Sequence, residues 1–129
     1  MAYPADLKYT KEHEWIKIDG TTAAIGITHY AQESLGDIVF VDLPKPGSDI
    51  TAGKTFGTVE SVKAVSDLYA PATGTVAAVN AELATAPEKV NKDAHGAWMI
   101  KVTLKDPAEL SGLLSAADYE KFVSEEGAH

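Results

Sequence analysis

The chain contains no cysteine and no arginine among its 129 residues. Without cysteine there can be no disulfide framework, thiolate metal site or thiol nucleophile. Sulfur chemistry would have to arrive on a cofactor. Without arginine, and with a formal net charge of −8 carried against eleven lysines, the chain lacks the planar fork that grips phosphates and base edges. An acidic, arginine-free surface excludes nucleic acid and anionic membranes as expected partners. It fits a solubilising surface, or one that docks on basic partners.

No apolar run approaches the roughly 20 residues that a membrane-spanning helix needs. The opening Met1-Ala2-Tyr3-Pro4-Ala5-Asp6 is neither apolar nor basic in the manner of a signal or transit peptide. The expectation is a soluble, cytoplasmic, monomeric protein in which residues 1–129 form one domain.

Signatures of catalysis are missing as well. His13, His29, His95 and His129 include no pair at the i, i+4 spacing of a helical zinc site, and no Gly-x-Ser-x-Gly elbow occurs. Gly53-Lys54-Thr55 has the ending of a phosphate loop, but Ser48 stands where the loop's first glycine belongs, so a turn is expected. The histidines are expected to be ordinary surface or half-buried side chains.

What is present is a β pattern. Over about residues 7–104, short runs rich in Val, Ile, Thr and aromatics alternate with Gly, Pro, Asn and Asp. Asp19-Gly20 joins two such runs as a hairpin. Thr28 is placed to cap a short helix that stops at Gly36. Residues 37–43 are apolar between acidic ends, which predicts an internal strand. Runs at 55–61, 65–70, 74–79 and 97–104 follow. A helical tail is expected over about 107–125, with Pro107 at a first turn and a capping box at Ser115; residues 124–129 are expected to fray.

Within this pattern Lys63 lies ten residues after Gly53 and eleven before Gly74, between two β runs. If the runs pair, Lys63 is at the tip of the hairpin. A solvated turn favours Gly, Asn, Asp and Ser, yet Lys63 is flanked by Val62, Ala64 and Val65. Apolar residues at an exposed tip point to a surface that a partner reads.

The run Glu60-Ser61-Val62-Lys63-Ala64-Val65-Ser66-Asp67, followed by Pro71 and Gly74, resembles the lipoylation site of the glycine cleavage system H-protein family. His13-Glu14-Trp15, Ile25-Gly26-Ile27-Thr28, the block from Leu35-Gly36-Asp37 to Leu43-Pro44, Asn91, Trp98 and the tail match it in the same order. The resemblance covers nearly the whole chain. It implies a mainly β barrel-sandwich hybrid of the lipoyl- and biotinyl-carrier type, with a short helix near 28–35 and C-terminal helical segments. It implies a non-catalytic carrier with lipoate in amide linkage on Lys63. By the same resemblance, Glu60, Gly47 and Gly74 match positions used by lipoylating enzymes. Glu14 and Asp67 match carboxylates that hold the aminomethyl-loaded arm; from the residues alone, both are surface charges or strand-end caps. The implied partners are glycine decarboxylase, aminomethyltransferase, dihydrolipoyl dehydrogenase and the lipoylating enzymes. The family's Asn-x-x-Pro-Tyr-Gly-x-Gly-Trp is replaced by the shorter Asn91-Lys92-Asp93-Ala94-His95-Gly96-Ala97-Trp98, so the shape of that loop is expected to differ.

Other classes fit less well. A biotin carrier would place Met on both sides of the lysine, where Val62 and Ala64 stand. Lipoyl domains of 2-oxo acid dehydrogenases usually carry Asp before the lysine. A relay protein for lipoate assembly would use the same lysine, and a stand-alone enzyme lacks any supporting motif.

Overall fold

Antiparallel hairpins dominate the chain because its turns supply what tight hairpins need. Ile16 pairs with Ile25 and Ile18 with Ala23 across the first hairpin. Gly20, at φ 64°, opens its two-residue turn. Asp19 belongs to the strand and pairs with Thr22, so the turn is Gly20-Thr21, one residue later than the sequence signal placed it.

The computed structural model describes residues 3–127. Its strands are β1 (Lys8–Tyr9), β2 (Glu14–Asp19), β3 (Thr22–Ile27), β4 (Ile38–Asp42), β5 (Asp49–Ile50), β6 (Thr55–Ser61), β7 (Val65–Tyr69), β8 (Gly74–Val79) and β9 (Ile100–Leu104). The helices are α1 (His29–Leu35), α2 (Glu82–Thr85), α3 (Lys89–Lys92) and α4 (Ala116–Gly127), with a 3-10 turn at Pro107–Gly112. One sheet runs β1-β2-β3-β9-β8-β5 and the other β4-β6-β7. Ile16, Ile25, Val76, Ile100 and Val102 of the first and Val41, Val59 and Leu68 of the second are buried in a single cluster. Burying each such side chain contributes roughly 1.5–3 kcal/mol. The expected barrel-sandwich is therefore realised as two separate sheets packed on a shared core.

Four sequence signals were accurate for physical reasons that are visible. Thr28 caps α1, its Oγ1 accepting from Ala31 N–H at 3.2 Å. The helix ends where Gly36, at φ 80°, sends its N–H back to the Gln32 carbonyl at 2.9 Å. Ser115 caps α4 by accepting from Asp118 N–H at 3.2 Å. Gly53-Lys54-Thr55 is indeed a turn running into β6, with Gly53 at φ 80°.

Other expectations need correction. β4 is an edge strand of the smaller sheet, not an internal one. The last strand begins at Ile100; of residues 97–99, Met99 donates to the Ile25 carbonyl just outside it. The first C-terminal segment winds as a 3-10 turn, while α4 continues through Gly127 where fraying was expected from 124. His129 lies outside the described residues. The short helices α2 and α3 were not announced by the sequence because each has only four residues, too few to show a helical period. Among the described residues no helix is long and apolar enough to cross a membrane.

Candidate functional site

The β6–β7 hairpin carries Lys63 at its tip, as expected, and the tip is exposed. Its turn is closed by Ser61, whose N–H donates to the Ala64 carbonyl at 2.8 Å. The Ser61 hydroxyl accepts from the N–H groups of Lys63 at 3.3 Å and Ala64 at 3.1 Å. One short side chain thus satisfies the turn and leaves the Lys63 side chain exposed.

The tip also leans on the body. Val62 N–H donates to the Asp37 carbonyl at 3.0 Å. A Cβ placed on Gly36 would sit 3.7 Å from Lys63 Cε, so the lysine stem lies over the end of α1. That end is fixed by Asn91 of α3. Its Nδ2 donates to the Gly36 carbonyl at 2.8 Å and to Gln32 Oε1 at 3.0 Å, while its Oδ1 accepts from Ile38 N–H at 2.8 Å. Asn91, in the sequence only a motif position, anchors the surface under Lys63.

Glu60 is half-buried on β6, side by side with Phe40 on β4 and Val65 on β7. Asp67 is exposed on β7, level with Thr58 and Asp42 on the same face of the sheet as that row. Glu14 departs from the surface position that its residue type led one to expect. It is 2% exposed. Its Oε1 accepts from the Thr10 hydroxyl at 2.6 Å and its Oε2 from Tyr69 N–H at 3.2 Å. Burial pushes its pKa up to about 7, and those two hydrogen bonds oppose the rise. Glu14 is thereby brought to the backbone of β7 two residues beyond Asp67, a separation of about 7 Å along a strand. No hydrogen bond joins the two carboxylates to each other among the described contacts. His13, just before Glu14, adopts φ 68°, an uncommon conformation for a side-chain-bearing residue. Its carbonyl accepts from Thr28 N–H at 3.0 Å, which ties this kink to the start of α1.

Gly47 and Gly74 come together, but elsewhere. Gly47 donates to the Val76 carbonyl at 2.8 Å, and Gly74 pairs with Ile50 across β5 and β8 of the larger sheet. Gly74 packs so tightly on the Thr103 carbonyl that a Cβ would collide with it. A cleft of about 360 Å³ lined by Leu83, Lys92, Ala97 and Trp98 contains none of these residues.

The comparisons with known proteins bear on the whole chain. A profile of the family described as Glycine cleavage H-protein matches residues 7–126. The chain belongs to this family. It is 70% identical to the glycine cleavage system H protein of Koribacter versatilis (strain Ellin345) over 129 residues, all of both chains. It is 66% identical to that of Acidobacterium capsulatum over the same full length. The crystal structure of a glycine cleavage system H protein from Mycobacterium marinum superimposes with a TM-score of 0.85 at 39% identity, covering 97% of this chain and 99% of that one.

The segment that departs from the H-protein pattern is well integrated. The Ala94 carbonyl accepts from Trp15 Nε1 at 3.0 Å, and His95 Nε2 accepts from His29 N–H at 3.2 Å. Burial and the neighbouring His29 lower the His95 pKa, favouring the neutral ring that this bond needs.

Glu14 makes stability depend on pH in a defined direction. Its folded pKa of about 7 lies above the ordinary value of 4.5, so between these values the folded state holds the proton more tightly. The stabilisation is complete below about pH 4.5 and is lost as pH rises towards 7. The loss amounts to as much as about 3 kcal/mol. Glu14→Gln, which cannot ionise, should gain stability relative to wild type between pH 4.5 and 7 and hold that gain above 7. Urea denaturation across this range measures it; parallel profiles for the two proteins would remove the buried acid from the account.

Proposed function

We propose that Lys63 is the attachment point of a lipoyl arm and that the rest of the domain presents and shelters that arm. As a member of its family the chain is a carrier component of the glycine cleavage system and acts with that system's other components. The observation that carries the residue assignment is the tip itself. Lys63 stands exposed on a closed turn, with its stem laid on Gly36 and apolar Val62 and Val65 on either side. These residues fit an aliphatic acyl chain, and the amine is open to acylation. When attached, lipoate supplies the dithiolane that a cysteine-free chain lacks, able to take up a one-carbon amine and to pass between disulfide and dithiol.

The chain's own residues then have defined tasks. Ser61 holds the turn so that Lys63 points outward, and the hairpin tether keeps the arm at high local concentration for each enzyme. Asp67 offers an open carboxylate to a cationic amine at the arm's end. Glu14 lies beneath, and a nearby cation would draw off its proton and make it a second anion. Glu60 stands one residue pair behind the tip, where an acylating enzyme would meet it. Gly47 and Gly74 act through the shape of the β5–β8 pair. The expected partners are glycine decarboxylase, aminomethyltransferase, dihydrolipoyl dehydrogenase and the lipoylating enzymes, and the chain itself performs no catalysis.

Two tests follow. Incubation with lipoate, ATP and a lipoate ligase, then peptide mapping, should place the modification on Lys63 alone and take the net charge from −8 to −9; modification at Lys54 would overturn the assignment. Asp67→Asn should be lipoylated normally yet lose the glycine-derived amine to water several-fold faster, since a charge pair at an exposed carboxylate contributes up to about 1 kcal/mol. Decay at the wild-type rate across a range of salt concentrations would leave Asp67 as a strand-edge charge.

A further inference from the structure

Residues 38–42, Ile-Val-Phe-Val-Asp, are apolar enough to suggest a buried strand, yet β4 lies at a sheet edge. Alternation along a regular strand would send Phe40 inward with Ile38. Instead the ladder skips a residue: Ile38 pairs with Ser61 and Phe40 with Glu60, leaving Val39 as the extra residue of a bulge. Ile38 and Val41 face the core, while Val39 and Phe40 both turn outward, 51% and 49% exposed. Val62 and Val65 are 69% and 66% exposed, and these four are all the exposed large apolar side chains among the described residues. Every one belongs to the β4-β6-β7 sheet or its tip. Phe40, Glu60 and Val65 form one cross-strand row immediately behind Lys63.

The charge around this patch has one sign. Asp37, Asp42 and Asp67 are exposed and Glu60 half-buried, whereas Lys63 is the single cation carried by residues 37–42 and 55–69. Acylation would remove even that charge. An edge strand bearing an exposed aromatic invites aggregation unless something covers it.

We infer that the bulged pair Val39 and Phe40 extends the lysine tip into a docking surface for the enzyme that acylates Lys63, an enzyme whose mouth is apolar and rimmed with basic side chains. This rests on Lys63 as the attachment point. In the acylation, the deprotonated Nζ attacks the carbonyl carbon of an activated lipoyl group. The N–C bond forms, the bond to the donor's leaving group breaks, and Nζ gives up a proton. The reacting atom is Nζ itself, bonded to the Cε that lies over Gly36, one residue before the Asp37 that leads into β4. An enzyme that brings a carbonyl carbon to bonding distance of Nζ must cover the side chains bracketing it. Enzymes that act on the dithiolane work a full lipoyl chain farther out and need not touch β4. The bulge thus makes β4 part of the acylation surface specifically.

The test compares wild type with the double variant Val39→Ser/Phe40→Ser, both exposed positions where polar replacement leaves the core intact. With lipoate, ATP and a lipoate ligase, kcat/KM for lipoylation of the variant should fall at least tenfold, mainly through KM. The wild-type KM should rise with added salt. Once driven to full lipoylation with excess ligase, the variant should be oxidised and reduced by dihydrolipoyl dehydrogenase within twofold of the wild-type rate. Undiminished lipoylation, or equal losses with both enzymes, would overturn the proposal. So would a wild-type dimer in sedimentation that the variant abolishes, since a second copy would then cover the patch. Failure of wild type to be lipoylated at Lys63 would instead overturn the attachment assignment, leaving these outcomes distinguishable.

Discussion

The Asn91 side-chain amide fixes the junction on which the lysine tip rests. It bonds the Gly36 carbonyl at the end of α1 and the Ile38 N–H at the start of β4. Between those two points lies Asp37, whose carbonyl receives Val62 N–H from the tip. Three neutral hydrogen bonds, each contributing about 1 kcal/mol net, thus convert an exposed hairpin into one with a defined resting place. An exposed turn held only by its own strands would sample many positions. Here one buried-edge amide, reached from a different helix, determines where the Lys63 tip stands.

Two environments divide the labour around that amine. The β4-β6-β7 face is acidic, apolar in patches and open, suited to being met by other proteins. Behind it, Glu14 is enclosed, held by Thr10 and the β7 backbone, with its pKa lifted to about 7 by burial. A carboxyl in that range responds to a cation brought alongside it, whereas the exposed Asp67 offers a charge that solvent screens. The left-handed His13 backbone joins these parts: it precedes Glu14 and its carbonyl anchors the N–H of the α1 cap Thr28.

Much of this was legible in the sequence because local chemistry was decisive. Thr28 and Gly36 bracket α1 by capping rules, the runs at 55–61 and 74–79 coincide with β6 and β8, and the Lys63 tip follows from symmetry between Gly53 and Gly74. What stayed hidden depends on tertiary placement. The apolar run at 38–41 gave the character of β4 but not its position, because a bulge, unlike a burial pattern, leaves no mark in composition. Glu14 read as a surface charge because its partners, Thr10 and the Tyr69 backbone, meet it only in the fold. Asn91 gave no hint that its three bonds reach residues more than fifty positions away. The Ala94-His95 departure proved structurally accommodated, since a ring nitrogen and a carbonyl supply the bonds that hold the loop.

The central claim is that Lys63 is the chain's one chemically indispensable group and that everything else presents it. Lys63→Arg keeps the charge and the exposed turn but offers no amine for a lipoyl amide. In a system reconstituted from lipoate-treated carrier and the other glycine cleavage components, wild type should support glycine-dependent release of carbon dioxide with sustained turnover. The folded Arg variant, matched by its circular dichroism and thermal unfolding, should support none. Sustained turnover by the Arg variant at a rate comparable to wild type would contradict the account.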